Sequence, residues 1–311
     1  MEKQLDFDSF FSSQLSEKLN EYEEYRISGV NKFKRFVYFS LPFLFLFILV
    51  IIFLPEPILL LGPAFVFVAI FGIGIGKVKT VRSHLRPRFK KSVLFPILKN
   101  LYEDIEYIPR QKMAKSVLNK SLLLKKKVHR TIGDDFVRCR IGQTMVQFSE
   151  IEAYNGSNAG MFYAGIFISA SFNKSFKSKT VVFPEKIANR AHRFALKYKG
   201  QMENPKIVKL EDPIFEKQFV VIGEDQVESR YLLSTSLMQR LFDYEKRFKG
   251  KVSFSFISNK LYISIPIMVN MFEPRIFEPL NDKEFIKHNY DYFKLLTDVV
   301  EELDLNTRIW L

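Results

Sequence analysis

Residues 36–54 read FVYFSLPFLFLFILVIIFL, a run without a single charged side chain. A second uncharged run of the same length, ILLLGPAFVFVAIFGIGIG, occupies positions 58–76 and follows Pro55-Glu56-Pro57. Because an α-helix rises about 1.5 Å per residue, each run would span about 28 Å, close to the roughly 30 Å of hydrocarbon in a bilayer. Neither run has a polar face, so two transmembrane helices explain them better than a buried hairpin in a soluble protein.

The charges that flank the two runs predict their orientation. Lys32, Lys34 and Arg35 precede the first run, whereas the turn between the runs contains Glu56 and no Lys or Arg. Seven cations follow the second run: Lys77, Lys79, Arg82, Arg86, Arg88, Lys90 and Lys91. By the positive-inside rule, we expect a multi-pass hairpin in the cytoplasmic membrane with both termini in the cytoplasm.

Two further features refine the membrane prediction. The stretch before the first run is acidic and no clear small-x-small cleavage site follows it, so we expect the hairpin to stay in the mature chain. Gly72 and Gly76 have the GxxxG spacing of membrane helices that pack closely.

The net charge of the 311-residue chain is +13, which suggests an anionic partner. Residues 77–130 hold 16 Lys and Arg against three acidic residues, whereas the net charges of residues 1–76 and 131–311 are −2 and +2. The positive-inside signal and a solvated helical surface therefore explain the excess positive charge of residues 77–130. The seven cations of residues 77–91 are candidates for contact with anionic lipid. No nucleic-acid motif accompanies them, so we expect no nucleic-acid partner.

The segments on either side of the hairpin read as helical. Residues 1–35 predict an amphipathic, acidic helix that packs on the protein's own cytoplasmic part or on a partner, through Phe7, Phe11, Leu15, Leu19 and Tyr22. In residues 77–130 three prolines should divide a basic helical segment into pieces over 88–96, 97–107 and 110–120.

Residues 131–311 predict a cytoplasmic α+β domain with mostly antiparallel strands. Hairpins are expected over 136–141 with 144–151 and over 252–257 with 261–266, and single strands over 161–172, 180–183, 206–210 and 218–222. One helix should run from Pro184 to about Tyr198. Another should start at the capping box Asn281-Asp282-Lys283-Glu284 and end near Leu303.

The most concentrated polar group in this domain comprises Glu211, Asp212, Glu224, Asp225, Glu228 and Arg230. The candidate site residues among them are Glu211, Asp212, Asp225, Glu228 and Arg230. Two facing carboxylates could act as acid and base, or hold a cation. The structural alternative is that Asp225-Gln226-Val227-Glu228 is a capping box, that Asp212-Pro213 forms a turn and that Arg230 pairs with a carboxylate. An enzymatic or ligand-binding role would require these side chains to converge in a pocket without capping or ion-pair partners. We favour the structural alternative.

No other feature points to an enzyme. The four histidines are far apart in sequence and none has metal-ligand spacing with another His or with Cys139, which reads as a core residue on a strand. The chain has neither a Gly-x-Ser-x-Gly elbow nor a His-Glu-x-x-His motif. We therefore predict no cofactor and no metal. We also favour a binding protein over an enzyme.

Several stretches resemble the bacterial family of domain of unknown function 3137 (DUF3137), in the same order from about residue 80 to the C-terminus. They include 121–123, 133–136, 148–151, 164–167, 172–176, 180–184, 210–219, 225–234, 272–274 and 305–310. Departures at Arg138, Glu185 and Ser229 remove no residue to which we assign a role. The resemblance implies a bacterial membrane-anchored cytoplasmic domain and no activity, and its gene neighbourhoods imply a LemA-type membrane protein as a candidate partner.

These observations give one main functional hypothesis and two alternatives. The main hypothesis is a membrane-anchored, cytoplasmic-facing interaction or regulatory protein. The alternatives are an enzyme or ligand sensor that uses the carboxylates around Glu211, Asp225 and Glu228, and a reader of anionic lipid surfaces that uses residues 77–130.

Overall fold

The computed structural model describes residues 5–53, 57–124, 126–156, 160–171, 175–185, 198, 200–248, 251–267 and 272–302. The chain forms two compact units. The helical unit comprises Met1–Asn100 with Met271–Asp291, and the sheet unit comprises Leu101–Asn270 with Tyr292–Leu311. Residues 271–291 thus belong to the same unit as the N-terminal helices, although they lie far from them in the sequence.

The helical unit is built from long helices with two π-helical turns. In chain order its elements are α1 (Phe7–Phe10), a π-turn (Phe11–Leu15), α2 (Ser16–Phe53), α3 (Pro57–Phe89), a second π-turn (Lys90–Leu94) and α4 (Phe95–Leu101). The predicted N-terminal helix is therefore continuous with the first apolar run. Its buried side chains are Phe10, Leu15, Leu19 and Tyr22. The π-turn adds a residue to one helical turn, so Phe10 rather than Phe11 is fully buried.

Prolines do not divide the helices as predicted. Pro42, Pro63 and Pro87 lie inside α2 and α3, and the helical path continues through Pro96 to Leu101. The π-turn before Pro96 is one of the adjustments by which helices accommodate a missing N–H group. The predicted breaks at Pro87 and Pro96 are therefore wrong.

Helices α2 and α3 contact each other in opposite chain directions. The rings of Tyr25 and His84 have centroids 4.7 Å apart, and Gly29 lies so close to Val81 that an added Cβ would be 2.2 Å from its Cγ2. Gly74 faces Phe33 and Phe36, whereas Gly72 and Gly76 have no described side chain within 4 Å. Within the described residues, Gly29 and Gly74 are therefore glycines that pack against the facing helix, whereas a Cβ added at Gly72 or Gly76 would have open space around it.

The two helices are long and apolar enough to cross a membrane. The candidate segments are Phe7–Phe53 and Gly62–Leu101, and their apolar windows are only 6% and 11% buried. Large side chains such as Phe39, Phe45 and Phe65 are mostly exposed. A core helix would bury these side chains, so the length and exposure of the two helices point to membrane association.

Among the described residues, the sheet unit contains nine antiparallel strands in the order β1-β2-β3-β4-β9-β8-β5-β7-β6. Their bounds are β1 (Glu103–Ile108), β2 (Arg130–Ile141), β3 (Thr144–Tyr154), β4 (Met161–Ser171), β5 (Thr180–Pro184), β6 (Lys206–Val208), β7 (Phe219–Gly223), β8 (Ser253–Ile257) and β9 (Lys260–Pro266). Both predicted hairpins are confirmed as β2–β3 and β8–β9, and the remaining strand predictions hold with small shifts at their ends. Phe167, Val181 and Ile222 belong to the buried core on the sheet.

Five helices complete the described structure: α5 (Lys115–Lys120), α6 (Pro213–Gln218), α7 (Gln226–Leu232), α8 (Thr235–Arg247) and α9 (Lys283–Glu302). The N-cap of α9 is Asp282, whose Oδ1 accepts from the amide of Glu284 at 3.0 Å. The prediction of Asn281 as the cap was wrong, because the cap is the next residue. Pro184, predicted as the first residue of a helix to Tyr198, is instead the last residue of β5 and pairs with Phe219, so the predicted start of that helix is wrong. Residues 186–197 of the predicted helix and the family-like stretch 305–310 lie outside the described residues.

The largest error of the sequence prediction is β1. Residues 97–107 were predicted as one helix, but Glu103–Ile108 is a strand that pairs with β2, and the predicted helix over 110–120 shortens to α5. Two ion pairs across the strands compensate for the acidic character of β1: Arg138 with Glu106 at 2.8 Å and Arg140 with Asp104 at 3.2 Å. These cross-strand partners override the local preference for helix.

Candidate functional site

A cleft in the sheet unit collects part of the polar group predicted from the sequence. Its volume is about 450 Å³ and it is lined by Leu210, Glu211, Asp212, Arg230, Leu233, Ser234, Thr235 and Met238. Three of the five predicted residues, Glu211, Asp212 and Arg230, thus share one depression. Asp225 and Glu228 do not line it.

Asp212 and Asp225 cap helices. Asp212 Oδ1 accepts from the amides of Ile214 and Phe215 at 2.8 and 3.1 Å at the start of α6. Asp225 Oδ1 accepts from the amides of Val227 and Glu228 at 2.7 and 3.1 Å at the start of α7. Each carboxylate satisfies amides that have no partner within their helix, which is the structural alternative for these residues.

Glu228 binds a distant segment instead of closing a capping box. Its carboxylate accepts from the amides of Lys177 and Ser178 at 3.0 and 2.7 Å and from the Ser178 hydroxyl. Burial acts to raise the pKa of Glu228, but the hydrogen bonds from Ser178 and Lys177 outweigh it and hold that pKa below its usual range. The predicted capping box is therefore half right: Asp225 caps the helix, but Glu228 does not have the role that the box assigns to it.

Glu224 binds the residue that follows the two residues bound by Glu228. It accepts from the amide of Lys179 at 2.8 Å and from the amide of Glu203 at 2.7 Å, and it lies 3.2 Å from Lys179 Nζ. Together with Glu228, it fixes residues 177–179 ahead of β5. Glu224 belongs to the polar group found in the sequence but is not among the predicted site residues, and its partner amides lie 45 and 21 residues away along the chain.

Arg230 donates to a backbone carbonyl and not to the predicted carboxylate. Its Nε lies 2.8 Å from the carbonyl of Lys209, and Gln226 Nε2 lies 3.5 Å from the carbonyl of Ile207. Both acceptors lie in or next to β6, the last strand of the sheet. Helix α7 therefore supplies donors to an otherwise open sheet edge, which protects it from pairing with other chains.

By the criterion set from the sequence, acid–base chemistry by this cluster is not supported. Asp212, Asp225 and Glu228 accept hydrogen bonds from backbone amides. Glu211 is exposed, and its side chain makes no hydrogen bond among the described residues. What the cleft offers is a guanidinium, the N-terminus of α8 at Ser234 and an apolar floor of leucine and methionine. This combination suits binding of a small polar ligand or of a partner's side chain.

Large apolar side chains are exposed next to the cleft residues in sequence. Ile214 on α6 is 68% exposed, and Val227 and Tyr231 on α7 are 78% and 57% exposed. Val227 and Tyr231 have i, i+4 spacing and so lie on one face of α7. Exposed apolar groups of this size around a polar cleft are characteristic of interaction surfaces.

A second polar cluster, which the sequence analysis missed, lies between β2 and β3. Asp134, Asp135 and Glu150 bring carboxylate oxygens within 4.8 Å of one another. A bulge between Asp134 and Val137 places Asp135 in the left-handed region at φ 56°, and the Tyr107 hydroxyl donates to its carboxylate. These are the described residues whose chemistry could accommodate a cation, and only the strand register brings them together.

Cys139 behaves as the predicted core residue. It is buried on β2, and burial raises the pKa of its thiol to about 12. A neutral, inaccessible thiol is neither a nucleophile nor a metal ligand at physiological pH.

The predicted lipid-contact cations fall into three groups. Lys77, Lys79, Arg88 and Lys91 are exposed. Arg82 and Arg86 are half-exposed and bind Glu273 at 3.0 and 2.6 Å. Lys90 is buried, which leaves little of it available to a lipid headgroup.

Buried charges in the helical unit were not anticipated. Glu23 and Arg26 on α2 form a bidentate pair with distances of 2.6 and 2.8 Å. Glu23 also accepts from the amide of Leu280 at 2.8 Å, and Arg26 donates to the carbonyl of Ile276 at 2.9 Å. The Arg26 guanidinium holds the pKa of Glu23 below its usual range. We call this group, with its two loop contacts, the Glu23–Arg26 clasp.

Comparison with known proteins agrees with the family resemblance. No curated protein matches the chain. The crystal structure of the mycobacterial trehalose monomycolate transport factor A, TtfA, aligns with a TM-score of 0.34 and 7% identity over 64% of this chain and 88% of that chain, a likeness too weak to support any conclusion. The sequence model of the family described as "Protein of unknown function (DUF3137)" matches residues 162–305. The predicted resemblance to this family is thereby confirmed over residues 162–305.

Proposed function

We propose that the protein is anchored in the bacterial cytoplasmic membrane by a hairpin of α2 and α3, with both termini in the cytoplasm, and that its DUF3137 domain acts there in interaction or regulation. The observation that carries the proposal is the exposure of the two apolar helices, whose apolar windows are only 6% and 11% buried. An apolar surface of this length needs a bilayer to cover it. The cations on both flanks and the lone Glu56 in the turn support the orientation.

An interaction role is supported by the surface beside the cleft. Ile214 follows the cleft residue Asp212 by two positions, and Val227 and Tyr231 lie on the helix that carries Arg230; all three expose apolar area. The described residues that line the cleft contain no catalytic constellation. The direct test is photo-crosslinking in native membranes with a benzophenone amino acid at Val227. Lys246 on α8 is the matched control, since it is exposed and polar. A protein captured at Val227 and not at Lys246, identified by mass spectrometry, supports the role; equal capture at both positions contradicts it.

A ligand sensor is the second candidate, because the cleft itself has room for a small molecule. Arg230 would then be the main polar contact for an anionic group, through the guanidinium nitrogens that do not bind Lys209. Thermal unfolding of the full chain in a panel of metabolites tests this idea. A stabilising anion should lose its effect in Arg230→Met and keep it in Arg240→Met.

Contact with anionic lipid is a natural accompaniment of the anchor. The exposed cations Lys77, Lys79, Arg88 and Lys91 lie on or directly after the helix that continues from the second apolar run. Replacing these four residues by Gln should weaken enrichment of anionic lipid around the purified protein, and the effect should disappear at high salt. Equal lipid enrichment in the variant and the parent protein would contradict this contact.

A further inference from the structure

An exposed aromatic side chain lies at the tip of the loop before α9. Phe277 is 65% exposed, although its neighbours Ile276 and Leu280 are buried. Its ring contacts the ring of Phe33 on α2, with centroids 5.9 Å apart in an edge-on arrangement. The loop thus presents one large apolar group beside a helix that is a candidate membrane span.

The depth of this contact along the helices follows from the neighbours of Phe33. The Phe33 ring lies 6.4 Å from the ring of Phe71, and it would also contact a side chain at Gly74. Both residues belong to the second uncharged run, and Phe71 precedes Lys77, the first cation after that run, by about 9 Å along the helix axis. Phe277 therefore lies level with the apolar end of the second run, and Phe33, which its ring contacts, lies between Lys32 and Lys34 at the cationic flank of the first run.

The loop is fixed in this position from both ends. Glu273 binds Arg82 and Arg86 on α3 at 3.0 and 2.6 Å. The Glu23–Arg26 clasp on α2 holds the carbonyl of Ile276 and the amide of Leu280. The aromatic tip is thus held against the two helices by hydrogen bonds to charged groups.

The charges nearest the tip are arranged so that they need not enter an apolar layer. Arg275 binds Glu278 at 2.6 Å, which neutralises the two residues that flank the Ile276–Phe277 pair. The Arg275 guanidinium also lies 4.5 Å from the centre of the Phe285 ring. The apolar pair is therefore bordered by an internally compensated ion pair.

We propose that Phe277 inserts into the interfacial layer of the same phospholipid bilayer that α2 and α3 span, so that the loop Phe272–Leu280 is a third membrane contact of the protein. The inference rests on the proposed membrane anchor. Phe277 reaches the boundary between headgroups and acyl chains, where an aromatic ring is stabilised, and the exposed Lys32 and Lys34, which flank Phe33 on α2, face the headgroups. A loop far along the chain thereby fixes the helical unit to the membrane surface.

Tryptophan fluorescence in brominated phospholipid vesicles tests this insertion. The only tryptophan is Trp310, so the full chain with Trp310→Phe provides a silent background. Three single variants are compared: Phe277→Trp, Phe45→Trp within the first apolar run, and Lys18→Trp. Lys18 is exposed on α2 and lies about 22 Å before Phe33 along the helix axis.

We expect Phe277→Trp to lose most emission with lipid brominated near the glycerol end of the acyl chains, and Phe45→Trp to lose most with lipid brominated deep in the chains. Lys18→Trp should emit equally in brominated and ordinary lipid. If Phe45→Trp is quenched while Phe277→Trp behaves like Lys18→Trp, the loop insertion is wrong and the membrane anchor stands. If Phe45→Trp is not quenched, the anchor fails and the insertion fails with it.

Discussion

Replacing Glu23 by Gln probes the buried charges that hold the loop Phe272–Leu280 against α2. The substitution keeps the size of the side chain and removes its charge. It breaks at least one of the two hydrogen bonds from Arg26 and leaves that guanidinium, which is 8% exposed, without its counter-ion. The amide of Leu280 must then compete with Arg26 for a single neutral acceptor.

The cost can be bounded from the contacts. Removing one partner of a buried ion pair costs about 3–5 kcal/mol. In Glu23→Gln one amide oxygen still accepts and Arg26 keeps the carbonyl of Ile276 at 2.9 Å, so we expect about 2–3 kcal/mol, since a neutral hydrogen bond replaces part of the charged one. At about 1.4 kcal/mol per factor of ten, local opening of the loop becomes about 30- to 150-fold more frequent.

Hydrogen exchange of the full chain in detergent or nanodiscs measures this opening. Peptides that cover residues 276–282 should exchange faster in Glu23→Gln by that factor. Glu24→Gln is the matched control, because Glu24 is the next residue on α2 and is exposed. If Glu23→Gln exchanges no faster than Glu24→Gln, the clasp does not hold the loop and the reasoning is refuted.

Three further predictions concern the sheet unit. Asp225→Ala removes the cap of α7 and should destabilise the domain by about 1 kcal/mol in thermal unfolding, whereas Asp243→Ala on the exposed face of α8 should have a much smaller effect; equal losses would contradict the capping role. The pKa of Glu228 is lowered in the folded chain, so the ionised carboxylate stabilises the folded state. This contribution to the free energy of unfolding is complete above the ordinary glutamate pKa of about 4.3 and is lost as pH falls through the lower pKa of the folded chain. The stability difference between the parent chain and Glu228→Gln should therefore be constant from pH 6 to 8 and shrink below pH 4, and a difference that grows on acidification would reverse the sign we assign. Cys139 should resist maleimide at pH 8 in the folded protein and react after unfolding, while rapid labelling of the folded chain would contradict its burial.

Much of the fold could be predicted because its signals are local. The apolar runs, the hairpins at Gly142-Gln143 and Ser258-Asn259 and the cap at Asp225 depend on residues that are close neighbours in the chain. β1 could not be predicted, since its acidic side chains are balanced by Arg138 and Arg140, which come much later in the sequence. Local sequence favours helix there, and only the partner strand reverses the preference.

The sequence predicted which polar residues belong to the candidate site, but it did not predict the partners to which they bind. Sequence alone brought Glu211, Asp212 and Arg230 to attention, and they share a cleft. The actual partners of Glu228 and Arg230 are backbone groups of segments that are distant in the chain, which no spacing rule reveals. The cluster of Asp134 and Glu150 depends likewise on strand register and a bulge.

The central claim is that α2 and α3 form a membrane hairpin with the rest of the chain in the cytoplasm. Cysteine labelling in intact spheroplasts with a membrane-impermeant maleimide tests it most directly, and the buried Cys139 provides a silent background. We predict that Glu56→Cys is labelled in intact spheroplasts, whereas Lys18→Cys and Lys246→Cys are labelled only after lysis. Labelling of Lys18→Cys or Lys246→Cys in intact spheroplasts, or protection of Glu56→Cys until lysis, would contradict the account.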